Sequence, residues 1–409
     1  MLNCSKRLWA SSLIFCLTYA ETGYTAELEI SGKIGVEGRY FVNEPLLQSQ
    51  LDQTQASLVI EPELYWQSDD GSKSFTFKPF YRKDSQDTAR SHGDIRELSY
   101  VYASDNGWEM RTGIRKEFWG VTEFQHLVDV INQTDTVEDF DGEDKLGQLM
   151  INYSGVYDWG ILDVFVLPNF RERTFPGVDG RLRAPIIIDE DNVSYESSKE
   201  DEHIDLAIRW SHSVGNIDIG THWFRGTNRE PILHLDVGAD GQTPALLQYY
   251  QQMEQVGLDA QMIAGDTLWK LETIYRNTNT ENHWATQAGF EHTLYGVFDS
   301  VVDLGLLMEH SWDSRGEGDE NEVTTNFQND LYVGARLAIN DAQSSELLMG
   351  IGTDLEHNAS SFIFEFTRRV GNSIKVSADI RIIQSSESSD LLYGLKEDDH
   401  LQLTMDWYF

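Results

Sequence analysis

The chain ends Leu401-Gln402-Leu403-Thr404-Met405-Asp406-Trp407-Tyr408-Phe409. Apolar residues stand at 401, 403, 405, 407 and 409, and polar or amphipathic ones at 402, 404, 406 and 408. A period of two marks a strand with one apolar face. This strand stops on an aromatic residue.

The opposite end repeats the pattern. Between Glu27 and Tyr40, Leu28, Ile30, Ile34, Val36 and Tyr40 share one face, while Glu29, Ser31, Lys33, Glu37 and Arg39 share the other. Charges of both signs on the second face point to a wet interior, since a dry one penalises them heavily. Ala56, Leu58, Ile60, Leu64 and Trp66 then alternate with Gln55, Ser57, Glu61 and Glu63, and Phe75, Phe77 and Tyr81 with Thr76, Lys78 and Arg82. Pro62 and Pro79 break the usual avoidance of proline in strands. Near Leu98 to Tyr102 the phase is disturbed by Ile95 and Val101. After the turn signal Asp105-Asn106-Gly107, Trp108, Met110, Thr112 and Ile114 oppose Glu109, Arg111, Gly113 and Arg115.

Further strands are expected near 145–154, 157–167, 202–213, 216–225, 250–263, 266–277, 283–295, 300–312, 327–339, 345–356, 361–370, 373–384 and 400–409. The total is about eighteen, many of them about ten residues long, which suits tilted spanning strands. Their connections alternate between short ones, such as Asp105–Gly107, and longer, acidic ones at 41–53, 84–93, 116–144, 168–201, 226–249, 313–326 and 385–399.

Composition agrees. Acidic residues outnumber basic ones 68 to 31, a formal charge of −37 that argues against a nucleic-acid partner. A hydrophobic content of 40 % and a mean hydropathy of −0.42 exclude a helical membrane protein, whereas alternation in a barrel dilutes hydropathy. Residues 1–26 read as a signal peptide: Lys6 and Arg7, an apolar Leu8 to Leu17, then cleavage motifs ending at Ala20 or Ala26. Cys4 and Cys16, the only cysteines, lie within it, so residues 27–409 hold no disulfide.

Signal, alternation, loop asymmetry and the final Phe409 together resemble Gram-negative outer-membrane β-barrels of the porin-like type. The resemblance implies an all-β fold: one closed antiparallel transmembrane barrel over 27–409, with short periplasmic turns, long acidic extracellular loops and both ends periplasmic. It further implies residence in the cell outer membrane among lipid and lipopolysaccharide, and engagement of the barrel-assembly machinery through Phe409. The implied function is passive diffusion of small hydrophilic solutes. The other reading is a surface binding or adhesion barrel whose lumen is occluded by loops. A homo-oligomer is compatible with either, without a sequence signature of one.

For a channel, the pore-lining residues expected from the strand phase are Arg39, Glu61, Arg82, Glu109, Arg111, Arg115, Arg209, Glu272, Arg276, Asp303, Arg336, Asp379 and Arg381. Such charges shape the field in a wet lumen. Loop 116–144 carries Phe124, Leu127, Val128 and Ile131 at helical spacing, so a short amphipathic helix is expected there, folded inward to narrow the pore or capping the outside. Arg111 and Arg115 feed this loop and are expected near any constriction, as an anion site inside a weakly cation-selective vestibule. Loop 168–201 offers Arg171, Arg173, Arg181 and Arg183, which either hold an anionic solute or pair with acidic loops. The 11 histidines show neither His-x-x-x-His nor Glu-x-x-His spacing. No enzyme, cofactor or metal is expected.

Overall fold

The computed structural model describes residues 27–238, 241, 243–317, 328–386 and 391–409; the signal segment 1–26 lies outside the described residues. In chain order the strands are β1 (Glu27–Phe41), β2 (Thr54–Gln67), β3 (Lys73–Asp84), β4 (Gly93–Ser104), β5 (Trp108–Arg115), β6 (Gln148–Tyr157), β7 (Gly160–Leu167), β8 (Ile188–Tyr195), β9 (Asp205–Val214), β10 (Ile217–Thr227) and β11 (Ile232–Val237). There follow β12 (Pro244–Tyr250), β13 (Gln252–Ala264), β14 (Thr267–Thr278), β15 (Asn282–Val297), β16 (Val302–Asp313), β17 (Asn329–Ala338), β18 (Glu346–Asp354), β19 (Ala359–Val370), β20 (Ile374–Ser385) and β21 (His400–Tyr408).

Eighteen of these form one antiparallel sheet. It closes on itself because β1 pairs with both β2 and β21: Val36 faces Leu58 on one side and Met405 on the other. The ring leaves no free edge, which is what backbone polar groups require in hydrocarbon. Burial follows the two-residue period. Glu37, Arg39 and Phe41 turn inward, Val36 and Tyr40 outward; Gln148, Met150 and Asn152 turn inward, Leu149 and Ile151 outward. The outward side of β21 presents Leu401, Leu403, Met405 and Trp407. Phe409 and Gly32 exchange backbone hydrogen bonds of 3.1 Å each, joining the chain end to β1 at the short-turn rim.

The prolines find their explanation in the register. Ile60 pairs with Tyr81 and Leu64 with Phe77, which sets Pro62 opposite Pro79 where the ladder lapses. Two missing N–H donors thus coincide at one rung. On its other side Pro62 faces Gly32, where a Cβ would stand 2.7 Å from the proline Cα. A bulge between Lys78 and Pro79 against β4 resets the phase there. Arg96 becomes the extra residue, and Val101 lies opposite Arg111.

Three strands lie outside the ring. β11 and β12 form a hairpin, and β12 pairs in parallel with β8. They occupy stretches expected to be loops.

Candidate functional site

The segment from Lys116 to Gly147 does not cap the barrel; it crosses it. Its base is clasped by Asn132, whose Oδ1 accepts the Glu117 N–H (2.8 Å) while Nδ2 donates to the carbonyls of Arg115 (2.9 Å) and Leu146 (2.8 Å). Glu272 on β14 accepts the backbone N–H groups of Val121 (2.7 Å), Thr122 (3.1 Å) and Val128 (3.2 Å), and the Thr122 hydroxyl (2.7 Å). Glu309 on β16 accepts the N–H groups of Glu123 (2.8 Å) and Phe124 (3.1 Å). At the tip Glu123 pairs with Arg336 of β17 at 2.5 Å, and Phe124 stacks on Tyr332 with centroids 4.8 Å apart. Gly334 and Gly350 make room: a Cβ on either would stand 3.4 or 3.3 Å from the Phe124 ring.

These wall carboxylates also explain why the expected helix is absent. Over 121–131 the chain runs through turns and bends. Its N–H groups bond to Glu272 and Glu309 rather than to carbonyls four residues back. Apolar spacing survives as packing. Val128, Val130 and Ile131 sit against Phe165, Phe224, Met253 and Ile274 of the inner wall, with Trp119 beside them.

The second half of the segment is held by ions on the opposite wall. Glu138 receives Arg82 at 2.5 Å, Asp135 receives Arg96 at 2.6 Å, Asp139 receives Arg39 at 3.3 Å and Asp141 receives Arg381 at 3.5 Å. Arg90 adds Glu37 (2.7 Å) and the carbonyls of Val137 and Glu138 (3.2 Å each). His92, Asp135 and Glu138 bring three ligand-type atoms within 4.8 Å of one another, but both carboxylates already face guanidinium groups. Phe140 packs on a second apolar cluster of Phe41, Leu51 and Leu182.

The other residues expected in the pore pair with wall residues or, for Arg276, with Glu230 in the stretch between β10 and β11. Arg209 meets Asp259 (2.7 Å), Arg276 meets Glu230 (3.0 Å), Glu61 meets Lys78 (3.4 Å) and Glu109 meets Arg111 (2.8 Å). Asp303 accepts Gly296 N–H and Asn340 Nδ2 at a short turn, and Asp379 lies two residues from Arg381 on the inward phase of β20. Of the two arginines expected beside the constriction, Arg115 reaches the crossing segment through Glu117 (3.2 Å). Arg111 has its partners, Glu109 and Asn152, on the wall.

The basic stretch after β7 serves the loops themselves. Arg171 bonds Asp94 (3.0 Å) and the Gly147 carbonyl (2.9 Å). Arg173 bonds Gln133 and the Arg229 carbonyl. Arg181, fully buried, holds Asp398 (2.6 Å) and the Asp52 and Glu397 carbonyls over the Phe41 ring. Arg183 bonds Ser49 and the Val178 carbonyl. Guanidinium groups bound to carbonyls and carboxylates lock loops together, so of the two readings of this cluster these contacts match pairing within the barrel rather than an open anion site.

One histidine of the crossing segment has its pKa raised by its surroundings. His126 Nε2 lies 3.1 Å from Glu143 and its Nδ1 4.0 Å from Glu272. Burial pulls its pKa down, but the Glu143 hydrogen bond and charge, with Glu272 and Asp129, turn the shift upward. Burial likewise raises the Asp129 carboxyl, against the pull of Lys145 at 3.5 Å. A raised histidine stabilises the closed segment below its free value and loses that contribution as pH rises; a raised carboxyl acts in the same direction. Protection of residues 119–131 from hydrogen exchange, corrected for the intrinsic rise of exchange with pH, is therefore expected to fall as pH rises above the ordinary histidine value, and His126→Gln to flatten the change. An unchanged profile in that variant would remove His126 from the account.

No family model matches the sequence, and no curated protein matches it. Solved structures share the fold. Wzi of Escherichia coli, an outer-membrane protein involved in group 1 capsule assembly, aligns over 91 % of this chain and 83 % of its own with a TM-score of 0.53 and 8 % identity. OpdQ of Pseudomonas aeruginosa aligns over 94 % and 98 %, with a TM-score of 0.50 and 11 % identity. The fold is that of a porin-like outer-membrane β-barrel. Within this barrel, the groups that hold the crossing segment were only partly visible in the sequence. Glu272, Arg336 and Arg381 stood out by strand phase and Phe124 by helical spacing; Glu123, Asp135 and Glu138 did not. Gly334 and Gly350 were the available signal, because glycine inside a strand marks close approach by another group.

Proposed function

We propose that this barrel resides in the outer membrane with its lumen closed by residues 116–147, and that it works as a surface binding barrel rather than a standing diffusion pore. The observation that carries this reading is the reach of one segment. It bonds to β1, β3, β4, β14, β16, β17 and β20, walls on opposite sides of the ring. Carbohydrate is the first ligand class to test, because Wzi is described as a carbohydrate-binding β-barrel. Proteoliposomes carrying the barrel are expected to swell no faster in small sugars than empty ones, while the barrel retains surface polysaccharide on a column. Swelling that falls with sugar size, without retention, would reverse the assignment in favour of a general channel.

A second reading keeps a narrow channel. It is favoured by the inward side chains of Glu61, Lys78 and Glu365, which remain partly exposed at 15, 33 and 34 % on the walls the crossing segment does not fill. If ions pass there, the acidic excess predicts a modest cation preference that fades as salt shortens the Debye length below about 8 Å. Reversal potentials across a salt gradient measure it, and Arg115→Ala is expected to increase the preference. Anion selectivity in the unmodified barrel would rule out control by its acidic charge.

A further inference from the structure

The wall is incomplete beside the base of the crossing segment. β5 has eight residues, fewer than the roughly 9–11 of a tilted spanning strand. Its last partner on β4 is Leu98, opposite Ile114. Residues 93–97 therefore continue past the end of β5. Gly147 comes in against this edge, so close that a Cβ would lie 2.8 Å from the Ile95 and Arg96 carbonyl oxygens. Arg171 closes the top by bonding Asp94 and the Gly147 carbonyl.

The gap leaves an open recess of about 540 Å³. Its lining comes from both sides of the wall. Ile114 and Leu149 belong to the outward phase, with Ile95 opposite Pro79 beside them; Phe80 and Gln148 belong to the inward phase. Phe80 is its inner end, covered from the lumen by the Arg96 guanidinium 4.1 Å from the ring centroid and by the His92 ring at 5.5 Å. The recess is thus blind toward the lumen and open toward the outside. Ile114 stands six residues along β5 from Trp108 at the short turn. At about 3.4 Å per residue and a tilt near 40°, that is roughly 15 Å of height, inside an apolar band about 25 Å tall. The opening accordingly meets hydrocarbon rather than headgroups.

We propose that this breach holds one acyl chain of an outer-membrane lipid, inserted sideways between Ile114 and Leu149 until it meets Phe80. The inference rests on the membrane placement proposed above. Only an apolar chain is supplied at that height, and the outward-phase side chains that line the recess, Ile114 and Leu149, are apolar, while Asn169 and the Asp94–Arg171 pair bound it at the top.

Benzoylphenylalanine in place of Phe80, Tyr81 or Phe165 tests this in proteoliposomes, with lipid adducts read by mass spectrometry after irradiation. Tyr81 faces outward and Phe165 is buried inside the ring. Adducts are expected at 81 and 80 and not at 165, and Ile114→Trp is expected to abolish the adduct at 80 while sparing that at 81. An adduct at 81 without one at 80 overturns the proposal alone. Adducts at neither overturn it together with the membrane placement, and an adduct at 80 that survives Ile114→Trp shows entry by another route. Native mass spectrometry of the unsubstituted barrel gives a readout without benzophenone. One retained lipid, lost in Ile114→Trp, is expected; no retained lipid contradicts the site.

Discussion

Replacing residues 119–131 by a short Gly-Ser linker is expected to turn a silent barrel into a conducting one, with current per insertion rising by at least an order of magnitude. The excision removes Trp119, Val128, Val130 and Ile131 from the apolar cluster. It also removes the donors that Glu272 and Glu309 accept and the Phe124 ring seated over Gly334 and Gly350. The Asn132 clasp on Arg115 and Leu146 remains, so the linker starts and ends on a fixed base. The ring itself should survive, because each strand keeps both neighbours. Lumen charges left behind, Glu272, Glu309 and Arg336, regain water and form a polar path. Planar-bilayer recording reads the effect directly. A variant that folds, resists heat as a barrel and still passes no current would mean that other loops seal the lumen.

Glu272→Ala is the single substitution expected to do most. That carboxylate is fully buried and takes four hydrogen bonds from the crossing segment. Removing the acceptor strands three backbone donors, each worth about 1–3 kcal/mol when left unmet in a dry site, while the Thr122 hydroxyl keeps the Gln125 carbonyl at 2.6 Å. The sum exceeds what the segment can absorb in place, so it should swing away and give long openings. Glu272→Gln makes the comparison sharp. Three of the four bonds end on one oxygen, Oε1, and an amide keeps one acceptor oxygen. Gln is therefore expected to open only briefly. Equal behaviour of Ala and Gln would show that charge, not hydrogen-bond acceptance, anchors the segment.

The ring was legible because a barrel strand must alternate, and alternation is written residue by residue in stretches such as 27–40 and 401–409. One of its disturbances has a local cause: Ile95 fell out of phase because a bulge against Pro79 inserts Arg96, whereas Val101 keeps the regular register and stands opposite Arg111. The interior was less legible. The spacing of Phe124, Leu127, Val128 and Ile131 suggested a helix, yet Glu309 and Glu272, 185 and 144 residues away, accept the backbone N–H groups of Phe124 and Val128. Nothing local announces such a partner. The sheet of β8, β11 and β12 escaped for the same reason, since β8 pairs in parallel with a strand more than fifty residues on, Leu246 facing Ile188. The arginines of 171–183 were visible as a cluster, but their carbonyl partners on other loops were not.

The most direct measurement is the single-channel record of the unmodified, refolded barrel in a planar bilayer at about pH 6, where the crossing segment is held most tightly. The account predicts insertion without a steady current, broken at most by brief openings that become more frequent toward about pH 8. A constant, ohmic conductance from every inserted barrel would contradict it, because residues 116–147 would then leave the lumen open.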